Sequence, residues 1–231
     1  LPTDISNINV GSSGTFSKVV FDLYRETAIV ITLSAHLYES FNLKEGVLPR
    51  NQAIGAGLVI RITKFMKAVM VLLIDKVSEH GEVIMALNRC ITESATNLRF
   101  FCEKATDEDF EEFIKSSLKP EKEQYAFIQE SIKRRGNVFP IETRMLRSII
   151  SVFKTSGVTE MEIEKLIIPK RKDYKTILTT LGMESVYLML QGIQSHSIHG
   201  SWVDLIKHHL EEADSGFRPT PDPVITDPRL L

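Results

Sequence analysis

Two long amphipathic segments lie in residues 52–104, QAIGAGLVIRITKFMKAVMVLLIDKVSEHGEVIMALNRCITESATNLRFFCEK, with a glycine between them. The first, about Gln52–Glu79, is too long for a strand, and we expect Asn51 to cap its start and Gly81 to end it. The second is Glu82–Lys104. Its apolar face holds Val83, Leu87, Cys90, Ile91, Ser94, Leu98 and Phe101. The stretch therefore predicts two long neighbouring helices.

The residues before this stretch predict a third long helix. Apolar residues recur at helical spacing from about Phe16 to Leu43, and the turn-forming segment Gly46–Asn51, which contains Pro49, follows. Three long helices joined by short turns are typical of an antiparallel bundle.

Shorter helices are predicted after residue 104 from their start and stop signals. Thr106-Asp107-Glu108-Asp109 resembles a capping box, as found at helix starts. Pro120 and Pro140 favour two further helix starts, and Gly136 and Gly157 favour the ends of these helices. The remaining predicted helices are Thr159–Ile167, Tyr174–Leu181, Glu184–His199 and Ser201–Glu212.

The predicted fold class is all-α: an antiparallel bundle of three long helices, several shorter C-terminal helices and an extended Pro-rich tail. We expect a flexible segment at residues 1–15, a single helical domain at 16–213 and the extended tail at 214–231. Four prolines in that tail, Pro219, Pro221, Pro223 and Pro228, are incompatible with a continuing helix.

Composition excludes some partners. The formal net charge is -2, so no global charge favours nucleic acid or an anionic membrane. The most apolar block, Met66–Ile74, is shorter than the roughly 20 residues that a membrane span requires, so no membrane contact is predicted. Cys90 and Cys102 lie about 18 Å apart on one predicted helix, too far for a disulfide. Free thiols favour a cytoplasmic location.

Common cofactor motifs are missing from the sequence. It contains no phosphate-binding glycine loop, no G-x-G-x-x-G, no Cys-x-x-Cys, no H-E-x-x-H and no G-x-S-x-G. No cofactor is predicted.

The junction Ser195–Trp202, SHSIHGSW, is the most function-suggestive stretch. His196 and His199 can share a helix face as an acid/base pair or as half of a metal site. A metal site needs a further ligand that the sequence does not place, so no metal is predicted. The structural alternative is a helix end at His199, a turn at Gly200 and a helix start at Ser201.

Charged residues on the long helices allow two interpretations. Arg89 and Glu93 are four apart, and Arg61 and Lys64 interrupt the most apolar helix. They can be exposed ion pairs and solvated cations worth a few tenths of a kcal/mol. Alternatively, cations on inner helices of a bundle are retained to meet an anionic ligand.

A basic segment spans Lys133–Lys175, after an acidic stretch at Glu103–Glu130. A basic face can contact phosphates without sequence preference. Such a segment is more often only a solvated surface, and few aromatic residues accompany it for base stacking.

Three stretches together resemble a known group: Asn51-Gln52-Ala53-Ile54-Gly55 leading to Arg61, Leu87-Asn88-Arg89-Cys90-Ile91-Thr92-Glu93-Ser94, and Ser195 to Gly200. They resemble an uncharacterised, mainly bacterial all-helical family defined by a domain of unknown function. The resemblance covers about Phe16–Glu212. More distantly they resemble the HEPN superfamily of nucleotide-binding and RNA-cleaving helical domains.

The HEPN resemblance implies metal-independent RNA binding or cleavage in a toxin or phage-defence setting. Active members of that superfamily have an Arg four to six residues before the His, whereas Gln194 lies five before His199. In this hypothesis, a cation from another helix therefore takes the place of the missing Arg. The predicted catalytic residues are His199, His196 and Arg89, and the predicted substrate-binding residues are Arg61, Lys64, Glu93, Ser195 and Trp202.

A second hypothesis follows from the missing Arg. The chain is then a non-catalytic interaction or structural module whose apolar helices pack against a homodimer copy or a partner subunit. The sequence leaves open whether the protein is an enzyme.

Overall fold

The computed structural model describes residues 13–37, 47–74, 77–187, 198–199, 201–214 and 216–219 of the chain. Helices dominate these residues, which confirms the all-α class. The helices are α1 (Ser13–Leu37), α2 (Arg50–Ile74), α3 (Val77–Glu103), α4 (Asp107–Ser117), α5 (Lys119–Arg135), α6 (Pro140–Thr155), α7 (Tyr174–Thr180) and α8 (Trp202–His208). Strands β1 (Leu210–Ala213) and β2 (Gly216–Pro219) form a small antiparallel sheet.

The chain divides into two compact units. The long-helix unit comprises residues up to Lys104 and from Tyr174 onward, and the middle unit comprises Ala105–Asp173. The prediction of one domain over residues 16–213 stays a prediction.

In the long-helix unit, α2 packs against both α1 and α3. Ile62 and Met66 of α2 are buried with Ala28 of α1, and Ile91 and Leu98 of α3 pack against them. The apolar residues recur at helical spacing, so each helix buries one stripe against its neighbours. The predicted grouping of three long helices is confirmed for the described residues, while residues 38–43 of the predicted first helix lie outside them.

The prediction that Gly81 ends the second helix was wrong. The described part of α2 ends at Ile74, and Gly81 lies within α3, where it is buried. A glycine inside a helix costs about 1 kcal/mol relative to alanine, a penalty that tertiary packing can outweigh. Because glycine has no side chain, it can also occupy a closely packed position in a helix.

Local signals define the helices of the middle unit, as predicted. The Thr106 side chain accepts from the Asp109 N–H, and the Asp109 carboxylate accepts from the Thr106 N–H at 3.0 Å, which forms the capping box. Gly136 and Gly157 follow α5 and α6 with φ angles of 79° and 82°, a left-handed conformation that glycine adopts without strain. The core of this unit contains Leu118, Tyr125, Ile128, Ile149, Phe153, Val158 and Ile163.

The predicted helix Thr159–Ile167 is reduced to one 3-10 turn at Glu160–Glu162. The Thr159 N–H donates to Glu162 Oε2 at 2.8 Å, so the predicted cap is present. Ile163 is completely buried in the core, and the chain turns there instead of continuing as an α-helix.

The predicted helix Ser201–Glu212 was also wrong in its second half. Helix α8 ends at His208, and Leu210 begins strand β1, which pairs with β2 so that Ala213 faces Gly216. Four-residue strands leave too short an alternating pattern to be recognised from sequence. Residues 220–231 of the predicted tail lie outside the described ones.

Within the described ranges, none of the helices combines the length and the apolar character that crossing a bilayer requires.

Candidate functional site

A set of polar side chains lies on one face of α3, in the long-helix unit. One turn of this face carries Arg89, the next carries Thr92 and Glu93, and the one after it carries Thr96. Residues three or four apart lie on the same face of a helix. The first residue of α7, Tyr174, meets this face, since its hydroxyl lies 3.0 Å from Thr96 Oγ1. We call these five residues the α3 polar cluster.

Arg89 is the cation of the cluster. Its Nε donates to Glu93 Oε1 at 3.0 Å, which confirms the ion pair predicted from the spacing. The Arg89 side chain is only 14% exposed, so the pair is not the solvated surface pair of the simpler prediction. Its buried Nη1 has no hydrogen-bond partner among the residues that the structure describes. Leaving a buried donor unpaired costs about 1–3 kcal/mol, and more when the group is charged.

Tyr174 keeps its proton at neutral pH. Burial raises the pKa of its phenol above the ordinary value, against the smaller lowering effect of hydrogen bonds with Thr96 and Thr92. The phenol is therefore a hydrogen-bond donor under physiological conditions. Together with the threonine hydroxyls and the Arg89 guanidinium, it makes the cluster rich in donors.

Arg61 joins α2 to α3 at Ser94, the residue after Glu93 of the cluster. Its Nε donates to Ser94 Oγ at 3.2 Å, and the buried Ser94 hydroxyl donates to the Cys90 carbonyl at 2.7 Å. The guanidinium also lies 4.5 Å from the centre of the Phe65 ring. Lys64 is exposed. Of the two predicted substrate-binding cations on α2, Arg61 is therefore hydrogen-bonded to α3 and Lys64 is exposed to solvent.

The histidine junction is only partly described. His199 is exposed, and no hydrogen bond or ion pair joins it to Arg61 or Arg89 in the part of the chain that the structure describes. Trp202 is 55% exposed, and its ring meets the Phe217 ring edge-on at 5.1 Å. Ser195 and His196 lie outside the described residues.

Sequence reasoning missed Tyr174, Thr92 and Thr96. The two threonines had a usable signal, because they lie three and seven residues after Arg89 on the same helix face. Tyr174 had none, since its hydrogen bond to Thr96 joins residues 78 positions apart.

Metal ligands do not gather in the described residues: no group of three or more His, Cys, Asp or Glu side chains there could hold a metal ion. The described chemistry of the cluster consists of hydrogen-bond donors and one ion pair.

Fold and cluster together define the class: an all-α protein with a polar, hydroxyl-rich cluster on one of its long helices. The chain belongs to a family of unknown function, DUF5677, whose sequence profile matches residues 52–217, more than two thirds of its length. The predicted membership of an unknown-function family is confirmed. The matched region begins in α2 and ends in β2, so it includes the whole cluster. No curated protein and no solved structure matches the chain.

Proposed function

We propose that this protein binds RNA and that the α3 polar cluster contacts a phosphate group of the strand. The observation that carries the proposal is the Arg89 guanidinium, whose buried Nη1 has no hydrogen-bond partner among the described residues. A phosphate group suits a guanidinium, because several N–H groups can donate to the same anion. Such an anion would satisfy the donor that the described residues leave unpaired.

The neighbours of Arg89 suit this role. Glu93 fixes the guanidinium through Nε, which leaves the two Nη atoms as the remaining donors. Glu93 is 39% exposed, so water screens the repulsion between its carboxylate and a bound phosphate. The Tyr174 hydroxyl, which shares a hydrogen bond with Thr96, adds an uncharged polar group of the kind that contacts phosphates without reading sequence.

Strand cleavage is the second step of the proposal, with His199 as the proton-transferring group. An imidazole can accept and donate protons near neutral pH, and His199 is exposed, so a strand held at the surface can reach it. His196 is proposed to assist. Arg61 is proposed as a further phosphate contact.

Binding is tested by fluorescence anisotropy with a labelled RNA of random sequence. We expect Arg89→Gln to lose about tenfold or more in affinity, because a charge-assisted hydrogen bond is removed. Arg89→Lys, which keeps the charge, should recover part of the loss. Melting temperatures of all variants separate lost binding from lost folding.

The matched control is Arg99→Gln. Arg99 lies on the same helix and pairs with Glu103 at 2.9 Å in the same i,i+4 arrangement, but it is 49% exposed. We expect its affinity for RNA to stay that of the wild type. Equal losses in the Arg89 and Arg99 variants, or a wild type that binds no RNA at low salt, would contradict the proposal.

Cleavage is tested separately with His199→Ala on a pool of RNA strands separated by gel electrophoresis. We expect the wild type to shorten the strands without added metal and the variant to leave them intact while still binding. A wild type that binds RNA but cuts none removes the catalytic step and leaves the binding step standing.

A second candidate function, a protein-interaction module, is favoured by the apolar side chains exposed around α8 and β2. Trp202 and Phe217 are 55% and 50% exposed, and Val203, Leu205 and Ile206 are each more than a third exposed. Apolar residues exposed together are typical of interaction surfaces. We expect Trp202→Ser with Phe217→Ser to convert a wild-type dimer to a monomer in light scattering. A wild type that is monomeric at every concentration argues against self-association.

A further inference from the structure

The exposed face of α6, in the middle unit, carries three cations. Arg144, Arg147 and Lys154 are exposed, and they share the helix face with the exposed hydroxyls of Ser148 and Ser151. Ile149 and Phe153 lie on the opposite face and are buried in the core. We call these three cations and two hydroxyls the α6 basic face.

Helix α6 itself places no acidic residue on this face. The sole acidic residue of α6 is Glu142, whose carboxylate is occupied by Arg135 at 2.6 Å and by the Phe139 N–H at 2.9 Å. Glu142 precedes Ile149 by seven residues, which places it on the buried side of the helix. Helix α6 therefore contributes three positive charges and no negative charge to this face.

Several other cations of the middle unit are paired within it. Lys115 pairs with Glu111, Arg135 with Glu142 and Lys172 with Asp109. Arg144, Arg147 and Lys154 make no ion pair with any described residue, and the description includes every residue of this unit. Their charge is available to an external anion.

We infer that the α6 basic face binds the phosphate backbone of RNA without sequence preference. Arg144 and Lys154 are ten residues apart, which is about 15 Å along the helix axis. At about 3.4 Å per phosphate along one strand of a duplex, this length faces four to five phosphates. The serine hydroxyls add donors that contact phosphate oxygens independently of the base.

An anionic membrane is the other polyanion that a basic helix can meet, and the packing of α6 disfavours it. Membrane-surface helices insert their apolar face below the lipid headgroups. Here the apolar face is occupied, because Ile149 and Phe153 lie in the core of the middle unit. What α6 presents to its surroundings is a row of charges and hydroxyls, which suits a phosphate backbone in water.

This inference rests on the proposed function because it takes RNA as the ligand. The surface that it concerns, the α6 basic face, is different from the α3 polar cluster. The test uses the full chain and a triple variant, Arg144→Gln, Arg147→Gln and Lys154→Gln. The control variant removes the same charge elsewhere in the middle unit: Lys115→Gln, Lys119→Gln and Lys165→Gln. Glutamine has a helix propensity close to those of lysine and arginine, and Lys165 lies in a turn, so we expect wild-type melting temperatures for both variants.

The readout is RNA affinity measured at several salt concentrations. Each phosphate contact contributes about 0.7 to the slope of log affinity against log salt for a single strand. For the triple variant, which removes three contacts, we expect the slope to be smaller than that of the wild type by about 2. Its affinity at low salt should fall roughly tenfold or more. The control variant should keep the slope and affinity of the wild type.

Several outcomes would overturn the inference. Equal losses in the triple and control variants would show a general charge effect, and an unchanged slope in the triple variant would show that the face makes no contact. Loss of binding in Arg89→Gln alone would leave the proposed function standing and reject the α6 face. Loss in the triple variant alone would support the face and reject the Arg89 site.

Two further results would also overturn the inference. A wild type that binds no RNA at low salt rejects the inference and the proposed function alike. Binding to phosphatidylserine vesicles that the triple substitution abolishes, with no RNA binding, would assign the face to a membrane surface and overturn the inference.

Discussion

Buried polar side chains of the two units differ in their position along the helix and in their hydrogen bonding. In the middle unit, Asp109 is buried at the start of α4, where it completes the capping box with Thr106 and pairs with Lys172. In the long-helix unit, Arg89 lies in the interior of α3, where the helix needs no side chain to satisfy its backbone, and its Nη1 has no partner among the described residues. Polar groups at helix ends stabilise the fold, whereas a largely buried cation within a helix costs stability where its donors stay unpaired.

One residue of the middle unit departs from this pattern. Glu121 Oε2 is buried without a hydrogen-bond partner, the single such side-chain atom found in that unit. Glu121 lies in the first turn of α5, where the helix dipole favours a negative charge. Its position at a helix end therefore offsets part of the cost of burying this oxygen.

The largest expected effect tests whether the middle unit has its own core. Phe153 is fully buried there, so Phe153→Ala should lower the free energy of unfolding by about 3–5 kcal/mol. Urea denaturation followed by circular dichroism measures the change. The control is Val152→Ala on the same helix, because Val152 is 40% exposed and should cost far less. Similar losses in both variants would mean that Phe153 is not a core residue.

A smaller effect, dependent on pH, tests the buried cap. Burial raises the pKa of Asp109, but hydrogen bonds with Lys172 and Thr106 outweigh it and hold that pKa below its ordinary value. A carboxyl with a depressed folded pKa stabilises the fold above its unfolded pKa, about 3.9, and the stabilisation disappears as the pH falls through the folded pKa. Asp109→Asn should therefore cost about 1–2 kcal/mol at pH 7 and less at pH 3.

Denaturation midpoints at the two pH values measure this difference. Glu112→Gln, on the same helix, is the control and should show the pH dependence of the wild type. If Asp109→Asn loses as much stability at pH 3 as at pH 7, the carboxylate is not what stabilises the cap.

The smallest effect tests the α3 polar cluster. Tyr174→Phe removes the hydrogen bond to Thr96 and should cost about 1 kcal/mol. Ultraviolet titration should also lose a phenol that ionises above the ordinary pKa. Tyr187→Phe is the control, since its ring lies 6.5 Å from the Tyr174 ring. If both variants change the melting temperature equally, Tyr174 contributes packing rather than a hydrogen bond.

The sequence predicted local features well where side chains act on their own helix. The capping box at Thr106, the glycines after α5 and α6, and the Arg89–Glu93 pair were all predicted and all confirmed. Gly81 was misjudged because helix-ending propensity is weak, and packing within the long-helix unit overrides it. The hairpin was missed because its pairing depends on two short strands.

For the site, the sequence named the cation and its carboxylate but not their surroundings. The hydrogen bond from Arg61 to Ser94 joins α2 to α3, and that of Tyr174 joins α7 to α3. No spacing in the sequence specifies either contact.

What the sequence determined by itself is the class of fold, the faces of the helices and the caps, because these depend on interactions within about four residues. The tertiary structure alone decided that Arg89 is largely buried, that Tyr174 meets α3 and that the cations of α6 pair with no carboxylate of the described residues. The physical reason is that burial and pairing depend on which helices pack together. The periodic spacing of apolar residues predicts only that a helix has a buried face.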